Sequence, residues 1–195
     1  MKEKLKKYFE RYVNLSEEEL ELLVQKLDVV NLNKKEFLLK EGTICKHKYF
    51  ILEGLVRFFE VSENGNETIT QFGVENWWIT NLDSFINETP SRQSIQVLEN
   101  TISLQISKSD LEKLYISIPK LERAFRIITE NMLIAIQRKD EIYMKKTSKE
   151  RYYNLVNTIP NFAQRVPQYM IASYLNITPE YLSEIRKTVI NHFLR

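Results

Sequence analysis

Apolar positions keep a helical period at both ends of the chain and a shorter one between. Leu5, Tyr8, Phe9, Tyr12 and Val13 share one helical face over Lys2 to Val13, and Leu20, Leu23, Val24 and Leu27 repeat the pattern behind Ser16 and Glu19, a capping-box pair. Two amphipathic helices are predicted there. From about Glu36 the period changes, and residues 37–39, 49–52, 56–59, 68–72, 94–97 and 101–106 form short strand-like runs. The four glycines, Gly42, Gly54, Gly65 and Gly73, fall at turn positions in this part, and Glu53-Gly54 and Asn64-Gly65 read as hairpin tips. Many short strands punctuated in this way predict a β-sandwich or jelly roll.

Helical spacing then returns. Ser109 and Glu112 form a second capping pair ahead of a short helix to Ser117, and Pro119 opens a longer one reaching about Lys146. Its apolar positions Leu121, Phe125, Ile128, Met132 and Ala135 advance by alternating steps of four and three, then meet Lys139 before Ile142, a seam too short and interrupted for a strong coiled coil. Ile127, Leu133, Ile134 and Ile136 lie outside that seam, so two faces are apolar. One face can pack on the β domain while the other meets a second copy; the alternative is that one chain buries both. Thr147 and Glu150 make a third capping box, before Tyr152, Leu155, Val156 and Ile159. Three parts are expected: helices and β-roll over 1–118, the long helix over 119–146, and a helical domain over 147–195.

The last domain carries the sharpest functional signal. Met170, Ile171, Tyr174 and Leu175 fall at helical spacing, Asn176 suits the left-handed position that ends a helix, and Thr178-Pro179 caps and starts the next. Ile177 plugs the corner, and Leu182, Ile185 and Val189 form the buried stripe of the second helix. Glu180, Tyr181, Ser183, Glu184, Arg186 and Lys187 are left for an outward face. Such a rigid pair of helices either places side chains in a DNA major groove or simply closes a small helical domain.

Composition narrows the choice. A 195-residue chain with 43% hydrophobic residues builds one large or two small cores. Cys45 is the only cysteine, which excludes an internal disulfide framework and any multi-cysteine metal centre within one chain. Cys45 with His47 reads as a surface turn and His192 as an exposed helix-end residue, so no metal site is expected. Trp77-Trp78 either lines a small-molecule cleft or is partly buried beneath the roll. The longest apolar run, Met132 to Ile136, is far short of a membrane span, and the N-terminus has no apolar signal core, so a cytoplasmic location is expected. Net charge is only +2, but residues 145–195 hold eight Lys/Arg against three Glu. A basic end on a mildly acidic body suits contact with phosphates. Neither a glycine-rich phosphate loop nor a nucleophile–base set is present, so an enzyme is not expected.

The run Gly42 to Gly73 (GTICKHKYFILEGLVRFFEVSENGNETITQFG) resembles the glycine-punctuated roll of the catabolite-activator/fumarate-nitrate-regulator (Crp/Fnr) family of bacterial transcription factors, and Ile171 to Arg186 is similar to their helix-turn-helix. The resemblance covers nearly the whole chain. It implies an α+β protein: a cyclic-nucleotide-binding-like jelly roll, a long dimerisation helix with Leu121, Phe125, Ile128, Met132 and Ala135 at the seam, and a C-terminal helix-turn-helix. The chain stops six residues after Val189, so it is expected to lack a clear wing. A homodimer would read a pseudo-palindrome in double-stranded DNA, with RNA polymerase as a further partner. Carried over by position, Pro179, Glu180, Ser183 and Glu184 form the base-facing part, Arg186 and Lys187 meet phosphates, Gln168 and Tyr169 touch the backbone, and Thr178 and Tyr181 complete the set of DNA-binding candidates. Pro179 stands where members carry a guanine-reading arginine, so the target sequence does not carry over.

The ligand pocket departs from the family. Its Gly-Glu pair aligns with Thr80-Asn81, ahead of Leu82, and its Arg-Ser pair with Ser91-Arg92 on the following strand, shifting the arginine by one residue. On a strand that shift turns the side chain to the other face. A missing carboxylate and a displaced cation argue against tight cyclic AMP binding, and no cofactor is expected. The rival expectation is a small-molecule sensor or scaffold that keeps the roll and does not bind DNA.

Overall fold

The computed structural model describes residues 1–193, with side chains through Lys187, so Val189 and His192 have side chains outside the described residues. Helices α1 (Lys2–Phe9) and α2 (Glu17–Gln25) come first. The Ser16 hydroxyl accepts from the Glu19 N–H at 3.1 Å while the Glu19 carboxylate accepts from the Ser16 N–H at 2.7 Å, the reciprocal cap expected at α2. α1 ends sooner than Val13, because the N–H groups of Tyr12 and Val13 both turn back to the Phe9 carbonyl.

Strands β1 (Asp28–Leu32), β2 (Phe37–Leu39), β3 (His47–Glu53), β4 (Val56–Val61), β5 (Glu67–Gly73) and β6 (Trp78–Ile79) follow, then α3 (Leu82–Asn87), β7 (Ser94–Val97) and β8 (Thr101–Ser107). They form two four-stranded antiparallel sheets, β1-β8-β3-β6 and β2-β7-β4-β5, the expected jelly roll. Asn64-Gly65 is a hairpin tip between β4 and β5. Glu53-Gly54 is not one: β3 and β4 lie in different sheets, and Gly54 turns the corner between them at φ +114°. A Cβ there would sit 2.2 Å from Thr101 Oγ1 and 2.9 Å from Thr101 Cα, so only glycine fits.

The remaining helices are α4 (Lys108–Ser117), α5 (Pro119–Lys145), α6 (Ser148–Thr158), α7 (Phe162–Arg165), α8 (Gln168–Leu175) and α9 (Pro179–Phe193). The cap of α4 is Ser107, not Ser109, because the Ser107 hydroxyl accepts from the Asp110 N–H at 3.1 Å. Thr147 caps α6 reciprocally with Glu150.

Two apolar clusters hold the chain together. The first joins both sheets to α1, α2, α4 and the first turns of α5, with Tyr8 against Phe50 at 4.9 Å and Trp78 against Phe125 at 5.1 Å between ring centroids. The second sits on the other side of the β2-β7-β4-β5 sheet: Leu55, Phe59, Ile69, Phe72, Val74 and Leu98 pack against residues of α6 to α9. Strand alternation explains the division, since Val56 and Phe58 serve the first cluster while Phe59, beyond a bulge, serves the second. Arg57 stays buried among them, its guanidinium 3.9 Å over the Phe59 ring, ion-paired to Glu67 and donating to Gln96 at 2.9 Å.

Because the Gly54 corner has both a positive φ and no room for a methyl group, Gly54→Ala is expected to cost about 3 kcal/mol or more. Gly65→Ala, at φ +78° with nothing within 4 Å, should cost about 1 kcal/mol. Urea unfolding of the two variants beside the native chain measures the difference.

Candidate nucleic-acid interface

The helix-turn-helix forms where its residues predict it. Asn176 ends α8 in the left-handed region at φ 52°, ψ 50°, and the Ile177 N–H reaches back to the Ala172 carbonyl at 3.0 Å. Thr178 then caps α9, its hydroxyl accepting from the Tyr181 N–H at 3.2 Å. Leu175, Leu182 and Ile185 are buried at the join, with Ile177 packed against them in the corner. This burial rotates the other side of α9 outward. Thr178, Pro179, Glu180, Tyr181, Glu184 and Lys187 are exposed, and Ser183 and Arg186 are half-buried. Arg186 lies close enough to Tyr152 of α6 to oppose the upward push that burial gives that phenol. Gln168 and Tyr169 are exposed at the start of α8.

The long helix divides its expected seam. Leu121 (0% exposed) and Phe125 (4%) lie inside the first cluster and Ile128 packs against it, so Leu121 and Phe125 cannot face a second copy. These positions are spent on Phe9, Trp78 and Tyr115, whose rings surround Phe125. Met132 and Ala135 are exposed, and so are Leu133, Ile134 and Ile136, which the seam did not include.

Within the roll, the residues aligned with a phosphate cradle are occupied by local bonds. Thr80 donates to the His47 carbonyl at 3.1 Å and lies 3.3 Å from the Cys45 sulfur. Asn81 caps α3 through the Ser84 N–H at 3.0 Å and donates to Gln93, which itself donates to Glu60 at 2.9 Å. Leu82, half-buried, begins α3. Ser91 is buried and donates to the Gln93 carbonyl at 2.7 Å, whereas Arg92 is exposed, with no ion pair or hydrogen bond among the described residues. The two sit just before β7, not on the strand itself, with Ser91 buried and Arg92 exposed. Cys45 is no surface turn: it is 2% exposed and its N–H donates to Ser84 Oγ. Trp78 is half-buried in the aromatic cluster, while Trp77 is 42% exposed.

Polar contacts that sequence reasoning missed join the C-terminal helices to the roll. Lys139, which interrupts the seam, donates to the Thr70 carbonyl at 3.1 Å and lies 4.3 Å over the Tyr174 ring; burial lowers its pKa. Tyr143 donates to the Leu175 carbonyl at 2.8 Å. The Ile69 N–H on the outer strand donates to Ser173 Oγ at 3.0 Å. Arg165 grips two carboxylates, Glu75 at 2.6 Å and Glu99 at 2.5 Å. Nothing local in the sequence marks these pairs: the contacts of Lys139 with Thr70, Ser173 with Ile69 and Arg165 with Glu75 and Glu99 join residues 66 to 104 apart, and even Tyr143 and Leu175 are separated by 32.

Among known proteins, the cyclic nucleotide-binding domain family matches residues 29–117. The transcriptional activator protein Anr of Pseudomonas protegens is 28% identical over 168 residues, 84% of this chain and 68% of its own length. Electron transport regulator A of Shewanella oneidensis is 24% identical over 166 residues, 79% of this chain and 65% of its own. In fold, the chain is similar to FixK2 from Bradyrhizobium japonicum (TM-score 0.72, 17% identity, 85% of each chain). It also resembles the catabolite activator protein of Thermus thermophilus (TM-score 0.57, 16% identity, 91% of this chain and 85% of that one). The named relatives are regulators, not enzymes.

Burial raises the Glu75 carboxyl, but hydrogen bonds from Arg165 and from the Gly54 N–H outweigh it and hold the group below its ordinary value. A carboxylate with a depressed folded pKa adds stability that is fully present above the unfolded value of about 4.3 and disappears as pH falls through the folded one. Glu75→Gln should therefore be less stable than the native chain at pH 7, with the gap narrowing below about pH 4. Urea unfolding at both pH values measures it.

Proposed function

We propose that this chain, similar in sequence and fold to regulators of the Crp/Fnr family, is a sequence-specific regulator of transcription that binds double-stranded DNA as a homodimer. The observation that carries the reading is the outward face of α9, held away from the second cluster by Leu182 and Ile185 and ending in Arg186 and Lys187. A helix so presented fits the major groove, where Glu180 accepts from a cytosine amino group and Arg186 and Lys187 meet phosphates. Gln168 and Tyr169, at the start of α8, take the neighbouring backbone. Residues 147–195 are the DNA-binding part, 1–118 the sensor-like roll and 119–146 the link. RNA polymerase would be the further partner. No helix of the described residues is long and apolar enough to cross a membrane; the proposed site of action is the cytoplasm.

The second protomer follows from the middle of α5. Leu133 (55% exposed), Ile136 (48%), Ile134 (43%) and Met132 (38%) put apolar side chains in water over five residues. Such a patch on a regular helix is an association surface. A two-fold pair of these helices would set two α9 helices on one side of a duplex, with half-sites about one helical turn, roughly 34 Å, apart.

The residues in the cyclic-nucleotide position do not fit a cyclic phosphate. Asn81 already caps α3, Ser91 is satisfied by Gln93, and Arg92 faces solvent. A phosphate placed there would compete with bonds already made. On this reading the pocket is degenerate and is not built to hold cyclic AMP tightly.

Enrichment of duplexes from a random pool should return a pseudo-palindrome, and binding should weaken steeply with salt. Arg186→Ala or Lys187→Ala should weaken binding to all sequences and flatten the salt slope by about 1 for each phosphate left without its cation. Absence of salt-sensitive binding, or binding untouched by both substitutions, would point to a scaffold. Ile134→Glu should convert a sedimenting dimer to a monomer and lower operator affinity by at least about tenfold, since each half-site then binds alone.

A further inference from the structure

The C-terminal helices rest on the roll through an apolar contact that adheres without fixing direction. Phe72 meets Phe162 at 4.9 Å and Tyr174 at 5.3 Å, both edge to face, and dispersion between rings tolerates sliding. Direction has to come from polar attachments, whose geometry is narrow.

Arg165 supplies the most directional one. Its Nη1 and Nη2 donate to the two oxygens of Glu75 at 3.2 and 2.6 Å, and its Nε and Nη2 donate to the two oxygens of Glu99 at 3.4 and 2.5 Å. One planar guanidinium thus makes two forked contacts, which fixes both its position and its plane. The carboxylates come from separate connections, Glu75 between β5 and β6 and Glu99 between β7 and β8. Glu75 is itself anchored, accepting from the Gly54 N–H at the corner where glycine is obligatory. Arg165 ends α7, and two residues later Pro167 leads into α8. A second attachment lies at the far end of α8, where Ser173 Oγ accepts from the Ile69 N–H and donates to the Glu67 carbonyl at 3.4 Å. The pair of attachments prevents α8 from rotating on the sheet, and α9 follows α8 through the buried join at Leu175 and Leu182.

We propose that Arg165 is a positioning residue: by clamping Glu75 and Glu99 it locks the helix-turn-helix onto the roll in one orientation, so that the dimer accepts one half-site spacing without any ligand. The spacing part rests on the DNA-binding reading above; the clamp itself does not. Arg165 touches no DNA in this scheme. It acts through the angle at which α9 is carried.

The test compares Arg165→Gln with the triple variant Arg165→Gln/Glu75→Gln/Glu99→Gln, in the full chain. The single change leaves two carboxylates facing each other without their cation and is expected to lower thermal stability. The triple change removes that repulsion, and its melting temperature should return towards that of the native chain while the clamp stays absent. Amide hydrogen exchange over Glu67–Gly73 reads docking directly, because the Ile69 N–H is protected by α8. Faster exchange in the triple variant, by tenfold or more, is expected. The duplex enriched by the native chain, and versions with one base pair added or removed between half-sites, then read orientation. The native chain should lose at least tenfold in affinity on either change of spacing, and the triple variant less than threefold. Native exchange and native spacing preference in the triple variant would overturn the proposal. Equal weakening on all three duplexes with exchange unchanged would also overturn it, as a purely structural role. If the native chain enriches no duplex, the DNA-binding reading fails, and the exchange comparison alone decides whether Arg165 holds the helices.

Discussion

Leu55, Phe59, Ile69, Phe72, Val74 and Leu98 give the β2-β7-β4-β5 sheet an apolar outer side as well as an apolar inner one. An apolar surface kept in water forgoes roughly 25 cal/mol for every Å² it could bury, so this side requires a cover. The helices from α6 onward provide it, and in doing so they bury the stripe of α8 and α9 that would otherwise be exposed. Each element therefore supplies what the other lacks. The sheet gains a roof, and the helices gain a floor that leaves the opposite face of α9 turned to solvent. The candidate interface for nucleic acid is in this sense a consequence of how the roll buries its second side.

Legibility in the sequence follows the range of the interactions. The turn from Asn176 to Thr178 depends on residues within five positions of one another, and its caps could be read directly. Strands β3, β4, β5, β7 and β8 carried apolar runs long enough to recognise. β1 did not, because it lies at a sheet edge with mostly exposed side chains and so has no buried alternation. α3 and α7, of six and four residues, are too short to show a period. Gly54 was recognisable as a turn but not as a corner between sheets, since that distinction rests on pairing with β8 and β5 far along the chain. The same reasoning applies to the site: the exposed face of α9 was legible, whereas Arg165 counted only as one basic residue until the fold brought Glu75 and Glu99 to it.

Charge shows the same separation of local from distant. A net charge of +2 says little about partners, and the basic excess after Lys145 says more. Even there, the structure divides the cations by task. Arg165 is committed to carboxylates and Arg151 lies 4.0 Å over the Tyr143 ring, while Lys187 remains at the surface. Only the last kind contributes fully to attraction for a polyanion, so an unweighted count of basic residues overstates the field that DNA would meet.

The long helix connects these tasks because its character changes along its length. Leu121 and Phe125 root it in the first cluster, Met132 to Ile136 are exposed, and Lys139 and Tyr143 reach the roll and the end of α8. A uniform heptad seam would have served association alone. Here the first turns fix the helix to the roll, and the apolar middle lies away from both clusters. The polar attachments near its end tie it to the same helices that Arg165 holds. On the dimeric reading proposed above, an angle between two protomers set at the middle of α5 would be carried to α9 through contacts that are directional at each step. That continuity is the physical ground for expecting geometry, and not merely charge, to select the duplex.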